Sequence, residues 1–231
     1  MPNLDQSTAP PPPWAVRAVA FDLDGILIDT EPLFAEAVRR YLRRRGIPFD
    51  PAFMLTIMGT PDHQAVPAFI RTYRLTDPPQ AVAGELWRDF LEAAGPGPAP
   101  LLPGVGDLLG RLRTAGIPSA ITTSSGRVFV ERMFAPHGLM PHFRFVLAAE
   151  DVTHGKPDPE IYRTAARRFG VEAGGMVVIE DSPNGLAAAK AAGARCVVVP
   201  HGSSPLERLR TADAIVPRLD AAELFELLGV V

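Results

Sequence analysis

The run V19-A-F-D-L-D-G-I-L-I-D-T-E31 decides how the rest of the chain is read. Val16 to Phe21 is a short apolar strand candidate, and Asp22, Asp24 and Gly25 follow it at once. A strand buried on both faces reads as a near-continuous apolar run, and polar groups placed just past its carboxyl end sit where open parallel sheets bind ligands. Gly25 permits the tight exit that keeps both aspartates at one opening.

Working outward, Glu31 to Arg45 carries Phe34, Val38, Tyr41 and Leu42 at helical spacing before Gly46 stops it. Residues 50 to 96 hold helix-like stretches near 51–57, 62–74 and 79–94 and no convincing strand, ending at the run GPGPAP from Gly95 to Pro100. Beyond it strands at 117–122, 143–148, 176–180 and 195–199 alternate with helices at 105–115, 126–136, 158–169 and 184–192. Ile215-Val216 adds a short last strand, and 219–228 a closing helix. The pattern predicts an α/β protein: a Rossmann-like parallel sheet covered by helices on both faces, with a small all-helical cap. The expected division is a disordered leader at 1–15, a core of residues 16–30 and 99–231, and a cap of 31–98.

Composition agrees with a soluble globular chain: 231 residues, 47% hydrophobic, 21% charged, mean hydropathy +0.10. The net charge of -3 comes with no long basic block, so no nucleic-acid partner is expected. Cys196 is the only cysteine, which excludes an intrachain disulfide, and the run A194-R-C-V-V-V199 around it reads as a buried strand. The N-terminus has neither a basic start nor an apolar signal core, and no run of about 18 apolar residues follows. A cytoplasmic protein without a membrane span is expected, monomeric, with a homodimer as the alternative.

The polar groups at the strand ends carry the chemistry. Converging carboxylates repel one another unless a cation neutralises them, and hard oxygen ligands suit Mg²⁺. Asp22, Asp24 and Asp181 are therefore candidate ligands, with Glu180 a ligand through water or a supporting base. Asp22 is a candidate nucleophile forming an aspartyl-phosphate, and Asp24 a candidate acid and base. Thr123 and Ser124, where a strand runs into a helix, can hold phosphate oxygens together with the free amides of the next turn. The chain has two lysines. Lys156, in H154-G-K-P-D-P-E160, suits a point charge against phosphate, whereas Lys190 reads as solvated surface. Helix capping explains Asp29 and Asp158, a dipole contact explains Glu31, and the five histidines lack metal-ligand spacing.

Four motifs in order give the constellation a resemblance to the haloacid dehalogenase-like hydrolases: D22-L-D-G-I-L-I-D29, T123-S124, Lys156 within GKPDP, and E180-D-S-P-N-G185. T30-E-P-L33 and E180-D-S182 resemble the branch of beta-phosphoglucomutase and phosphoglycolate phosphatase. The resemblance implies Asp22 as nucleophile, Asp24 as acid and base, and Thr123 and Lys156 on phosphate. It also implies Mg²⁺ on Asp22, the main-chain carbonyl of Asp24, and Asp181. The expected activity is Mg²⁺-dependent hydrolysis of a small phosphorylated metabolite, a sugar phosphate or phosphoglycolate-like monoester. Cap residues Phe34, Met54, Met58, Gly59, Thr60 and Arg71 are expected to set specificity, with Phe34 and Arg71 against the substrate. A beta-phosphoglucomutase-like sugar phosphomutase is the first alternative. Phe34 stands where that enzyme carries histidine, and no lysine lies between 30 and 100. A noncatalytic phosphometabolite-binding protein is the alternative of another class.

Overall fold

The computed structural model describes residues 14–57, 62–202 and 204–231, apart from the side chains of 55, 56, 62 and 63. Residues 1–13 of the expected leader and three of the expected specificity residues, Met58, Gly59 and Thr60, lie outside the described residues, whereas Trp14 is described and packs against the core.

Among the described residues six parallel strands form one sheet: β1 (Ala18–Phe21), β2 (Ser119–Thr122), β3 (Phe143–Leu147), β4 (Met176–Glu180), β5 (Arg195–Val198) and β6 (Ala214–Ile215), in the order β3-β2-β1-β4-β5-β6. All four residues of β1 and all five of β4 are buried, which is why 18–21 and 176–179 are apolar without alternation. Helices α5 (Val105–Thr114), α6 (Arg127–Met133) and α9 (Ala222–Leu228) pack with one sheet face around Val19, Phe21, Ile121, Val177 and Ile179. The opposite face, with Ala18, Ala20, Ala120, Val178 and Cys196, is covered by α7 (Glu160–Phe169) and α8 (Pro183–Ala192). On α7 the buried residues Ile161, Tyr162, Ala165, Ala166 and Phe169 make a single helical stripe.

Between β1 and β2 the chain builds a cap region from α1 (Glu31–Arg44), α2 (Pro51–Ile57), α3 (Asp62–Tyr73) and α4 (Pro79–Ala94). It has its own apolar cluster, Val38, Tyr41, Leu42, Phe53, Met54, Phe69 and Val82. Helices α1 and α4 are also joined by Arg44, whose two terminal nitrogens reach both oxygens of the buried Asp89 at 2.5 and 2.6 Å, and by Arg45 on Glu85 at 3.0 and 3.1 Å. A fork of this kind fixes angle as well as distance.

No helix among the described residues is long and apolar enough to cross a membrane. Two caps differ from expectation. Thr30, not Asp29, precedes the first turn of α1, and Asp29 instead faces His201 Nε2 at 3.1 Å. Asp158 lies one residue before the N-cap Pro159 and accepts the amide of Glu160 at 2.9 Å.

Candidate active site

The sheet order brings the polar residues together. β1 lies between β2 and β4, with Phe21 in register with Ile121 and Ile179. Asp22, Thr123 and Asp181, each one or two residues further on, therefore emerge at one edge, because paired strands run about 4.8 Å apart. It is also the switch point of the sheet: β2 and β3 extend to one side of β1, and β4, β5 and β6 to the other.

Lys156, on the connection from β3 to α7, is only 6% exposed. Its Nζ donates to Asp22 Oδ1 at 2.6 Å, to Glu180 Oε1 at 2.6 Å and to the Thr122 carbonyl at 3.0 Å, using its three protons. Glu180 is fully buried and lies behind the opening. Besides Lys156 it accepts from Tyr162 Oη, the amides of Asp181 and Ser182, and Ser182 Oγ, at 2.8 to 3.1 Å. These bonds anchor the exit of β4 and the lysine together. A Cβ on Gly185 would overlap the Glu180 carboxylate, so the first turn of α8 closes on it only with glycine there.

Asp24 is gripped from two sides: Thr30 Oγ1 donates to Oδ1 at 2.8 Å and Ser125 Oγ to Oδ2 at 2.7 Å. Gly25 has φ +76°, and a Cβ on it would overlap Asp181 Oδ2, so the glycine after the aspartate pair is required by both conformation and space. Thr123 is buried and its Oγ1 accepts the Ser125 amide at 2.9 Å, which shapes the turn into α6.

One oxygen from each of Asp22, Glu180 and Asp181 lies within 4.8 Å of the others, a donor set that fits a hard divalent cation. The charge balance fits as well. In the metal-free protein burial, opposed by Lys156 and reinforced by Glu180 and Asp24, pushes the Asp22 carboxyl up to about 7. Burial, then Glu180 and Asp22, hold Asp181 well above the usual carboxylate range. Glu180 behaves oppositely: burial works against its charge, but Lys156 and the donors around it keep its pKa lowered. Burial also disfavours the Lys156 ammonium, yet Asp22 and Glu180 hold its pKa well above normal. One ammonium thus serves one carboxylate fully, and a cation beside Asp22 and Asp181 would meet the remaining deficit.

A cavity of about 930 Å³ opens over these groups, lined by Asp22, Asp24, Gly25, Thr123, Ser124, Lys156 and Asp181 on the core side and by Phe34 and Met54 on the cap side. Arg71 is not brought to it; that side chain is exposed on the last turn of α3, away from the lining residues. Three partners went unrecognised in the sequence: Thr30, Ser125 and Tyr162. A TSS run advertises hydroxyls without saying which one turns back to β1, and Tyr162 reads as an ordinary apolar-stripe residue.

Fold and strand-end carboxylates together define a hydrolase with a Rossmann-like parallel sheet and a helical cap region. The family model for haloacid dehalogenase-like hydrolases matches residues 19–199. Validoxylamine A 7'-phosphate phosphatase of Streptomyces hygroscopicus subsp. limoneus is 31% identical over 209 residues, covering 88% of this chain and 94% of that protein. The phosphorylated carbohydrates phosphatase of Thermotoga maritima is 33% identical over 205 residues, covering 87% and 93%. Among solved structures, CbbY from Rhodobacter sphaeroides in complex with phosphate superposes with a TM-score of 0.78 at 30% identity, covering 93% of this chain and 99% of that one. The chain belongs to the haloacid dehalogenase-like hydrolase family, in the branch of beta-phosphoglucomutase and phosphoglycolate phosphatase.

Proposed function

We propose that the protein is a Mg²⁺-dependent phosphatase that hydrolyses small phosphoric monoesters through a phosphorylated Asp22. The observation that carries the reading is the division of labour between two aspartates two residues apart. Asp22 meets the Lys156 ammonium at 2.6 Å, and Asp24 is fixed by two hydroxyls.

In the first step an Asp22 oxygen bonds to phosphorus as the ester P–O bond breaks, and protonated Asp24 gives its proton to the departing alkoxide. Thr30 and Ser125 fit both states of Asp24, because a hydroxyl that donates to the carboxylate can accept from the acid. In the second step Asp24 takes a proton from water as the water oxygen attacks phosphorus. The bond to Asp22 breaks, and inorganic phosphate leaves. Lys156 offsets the charge of the nucleophile and of the phosphoryl group, while the Thr123 and Ser124 side chains hold phosphoryl oxygens. Asp22, Asp181 and the main-chain carbonyl of Asp24 would hold the Mg²⁺, with Glu180 supporting from behind through Lys156. The ion supplies charge neutralisation between two anions.

The relatives' names specify carbohydrate esters for those proteins; the substrate class of this chain turns on the lining of its own cavity. Mutase chemistry has less support, since among the described residues no lysine or arginine of the cap lines the cavity to hold a second phosphate. A panel of phosphate monoesters assayed with Mg²⁺, with Asp22→Asn as control, tests the reading. Release of phosphate by the wild type alone supports it. An inert wild type, or an Asp22→Asn protein of equal activity, overturns it.

A further inference from the structure

Resting on that phosphatase reading, we infer that the preferred monoester is one whose alcohol is apolar or aromatic, seated on a hydrophobic cap face. The cavity has two chemically distinct ends. Its polar lining comes from the strand ends and the loops around them. Of the described residues that α1 to α4 contribute, Glu31, in the first turn of α1, is the sole polar one. The others are hydrocarbon, aromatic or thioether groups, among them Phe34, Met54, Ile57, Val66, Leu86 and Trp87.

The arrangement of rings sharpens the inference. Phe90 is fully buried, and Phe34, Trp87 and Phe129 gather around it with centroids at 4.5, 5.4 and 5.7 Å. Trp87 lies nearly parallel to Phe90, at 8°, and stands 5.9 Å from Phe129 of α6, so the ring group bridges cap and core. Phe34 and Trp87 stay 36% and 37% exposed although a buried cluster lies beside them. They border the same cavity as the nucleophile. Two half-exposed rings beside a catalytic opening offer faces for stacking or apolar contact. Against the described cap groups other than Glu31 a polyol's hydroxyls would meet no hydrogen-bond partner, and an apolar pocket disfavours an added hydroxyl by up to about a hundredfold.

Leaving-group reactivity must be held constant, so the test compares esters of primary alcohols: 2-phenylethyl and hexyl phosphate against glucose 6-phosphate and glycerol 3-phosphate, each with Mg²⁺. The expected result is a kcat/KM at least tenfold higher for the first pair. Trp87→Ala and Phe34→Ala should each shrink that ratio, mainly through KM. As a binding arm, 2-phenylethyl phosphonate is expected to quench tryptophan fluorescence in a Trp14→Phe protein, where Trp87 is the remaining indole. Equal or better turnover of the polyol phosphates, or a preference that survives both substitutions, overturns the inference and leaves the phosphatase reading standing. Failure of all four esters and of p-nitrophenyl phosphate overturns the phosphatase reading, and the inference with it.

Discussion

Replacing Lys156 by Met removes the ammonium from between Asp22 and Glu180 while roughly keeping its volume. Both carboxylates lie 2.6 Å from Nζ, and the Thr122 carbonyl at 3.0 Å loses its donor as well. Breaking a buried ion pair from one side costs about 3–5 kcal/mol. The low end applies here, because Glu180 keeps Tyr162, Ser182 and two amides, and Asp22 can take a proton. At pH 7.5 in EDTA, urea unfolding should therefore show a loss of roughly 3 kcal/mol, equivalent to a drop in Tm of about 6–12 °C for a chain of this size. The pH dependence has a definite sign. Without the lysine Asp22 rises further and Glu180 loses the contact that holds it low, so the folded variant binds more protons than the folded wild type as pH falls from 7.5 toward 5. Each extra proton narrows the gap by about 1.4 kcal/mol per pH unit. A loss below about 1 kcal/mol at pH 7.5, or a gap that widens on acidification, would refute this account of the buried triad.

Asp22→Asn should lower kcat by more than about a thousandfold yet raise metal-free stability at pH 8 by about 1–3 kcal/mol. A carboxyl held at about 7 when folded opposes folding wherever it is charged, and urea titration reads the change. Magnesium should raise Tm more at pH 8 than at pH 6, since Asp22 and Asp181 must shed protons to bind it; about 2.7 kcal/mol is expected at a hundredfold excess over Kd. Gly25→Ala places a Cβ against Asp181 Oδ2 at φ +76°, so a loss of about 1–3 kcal/mol and weaker magnesium binding by calorimetry are expected; unchanged affinity would count against Asp181 as a ligand. Ser125→Ala combined with Thr30→Val should leave KM near the wild-type value and lower kcat by about ten- to a hundredfold, measured with a pH profile, because the two hydroxyls orient Asp24 without touching the ester.

Much of the fold can be read along the chain because a parallel sheet demands two-sided burial. V177-V-I179 and A18-V-A-F21 could hardly be placed anywhere but mid-sheet, and the observed strand limits fall within two residues of those expected. The strand-end carboxylates were legible for a related reason: charge has no business continuing an apolar strand unless an opening lies there. Side-chain aim was not legible. Arg71 and Phe34 lie on helices of similar pattern, and only the packing of the helices turns one into solvent and the other over the cavity. Glu180 and Asp181 are adjacent in sequence but alternate across the end of β4, so one is sealed behind Lys156 and the other lines the mouth. The apolar cap face escaped notice because a helix that lines a pocket and a helix that lines a core show the same periodicity.

Asp24 is tied to Ser125 on the sheet side and to Thr30 at the root of the first cap helix. The proton carrier is thereby geared to the lid. A swing of α1 that lengthens the Thr30 bond by an ångström would break it, since hydrogen bonds weaken steeply beyond about 3.5 Å. An opening that displaced the root of α1 would then disturb the alignment of Asp24 as it released product.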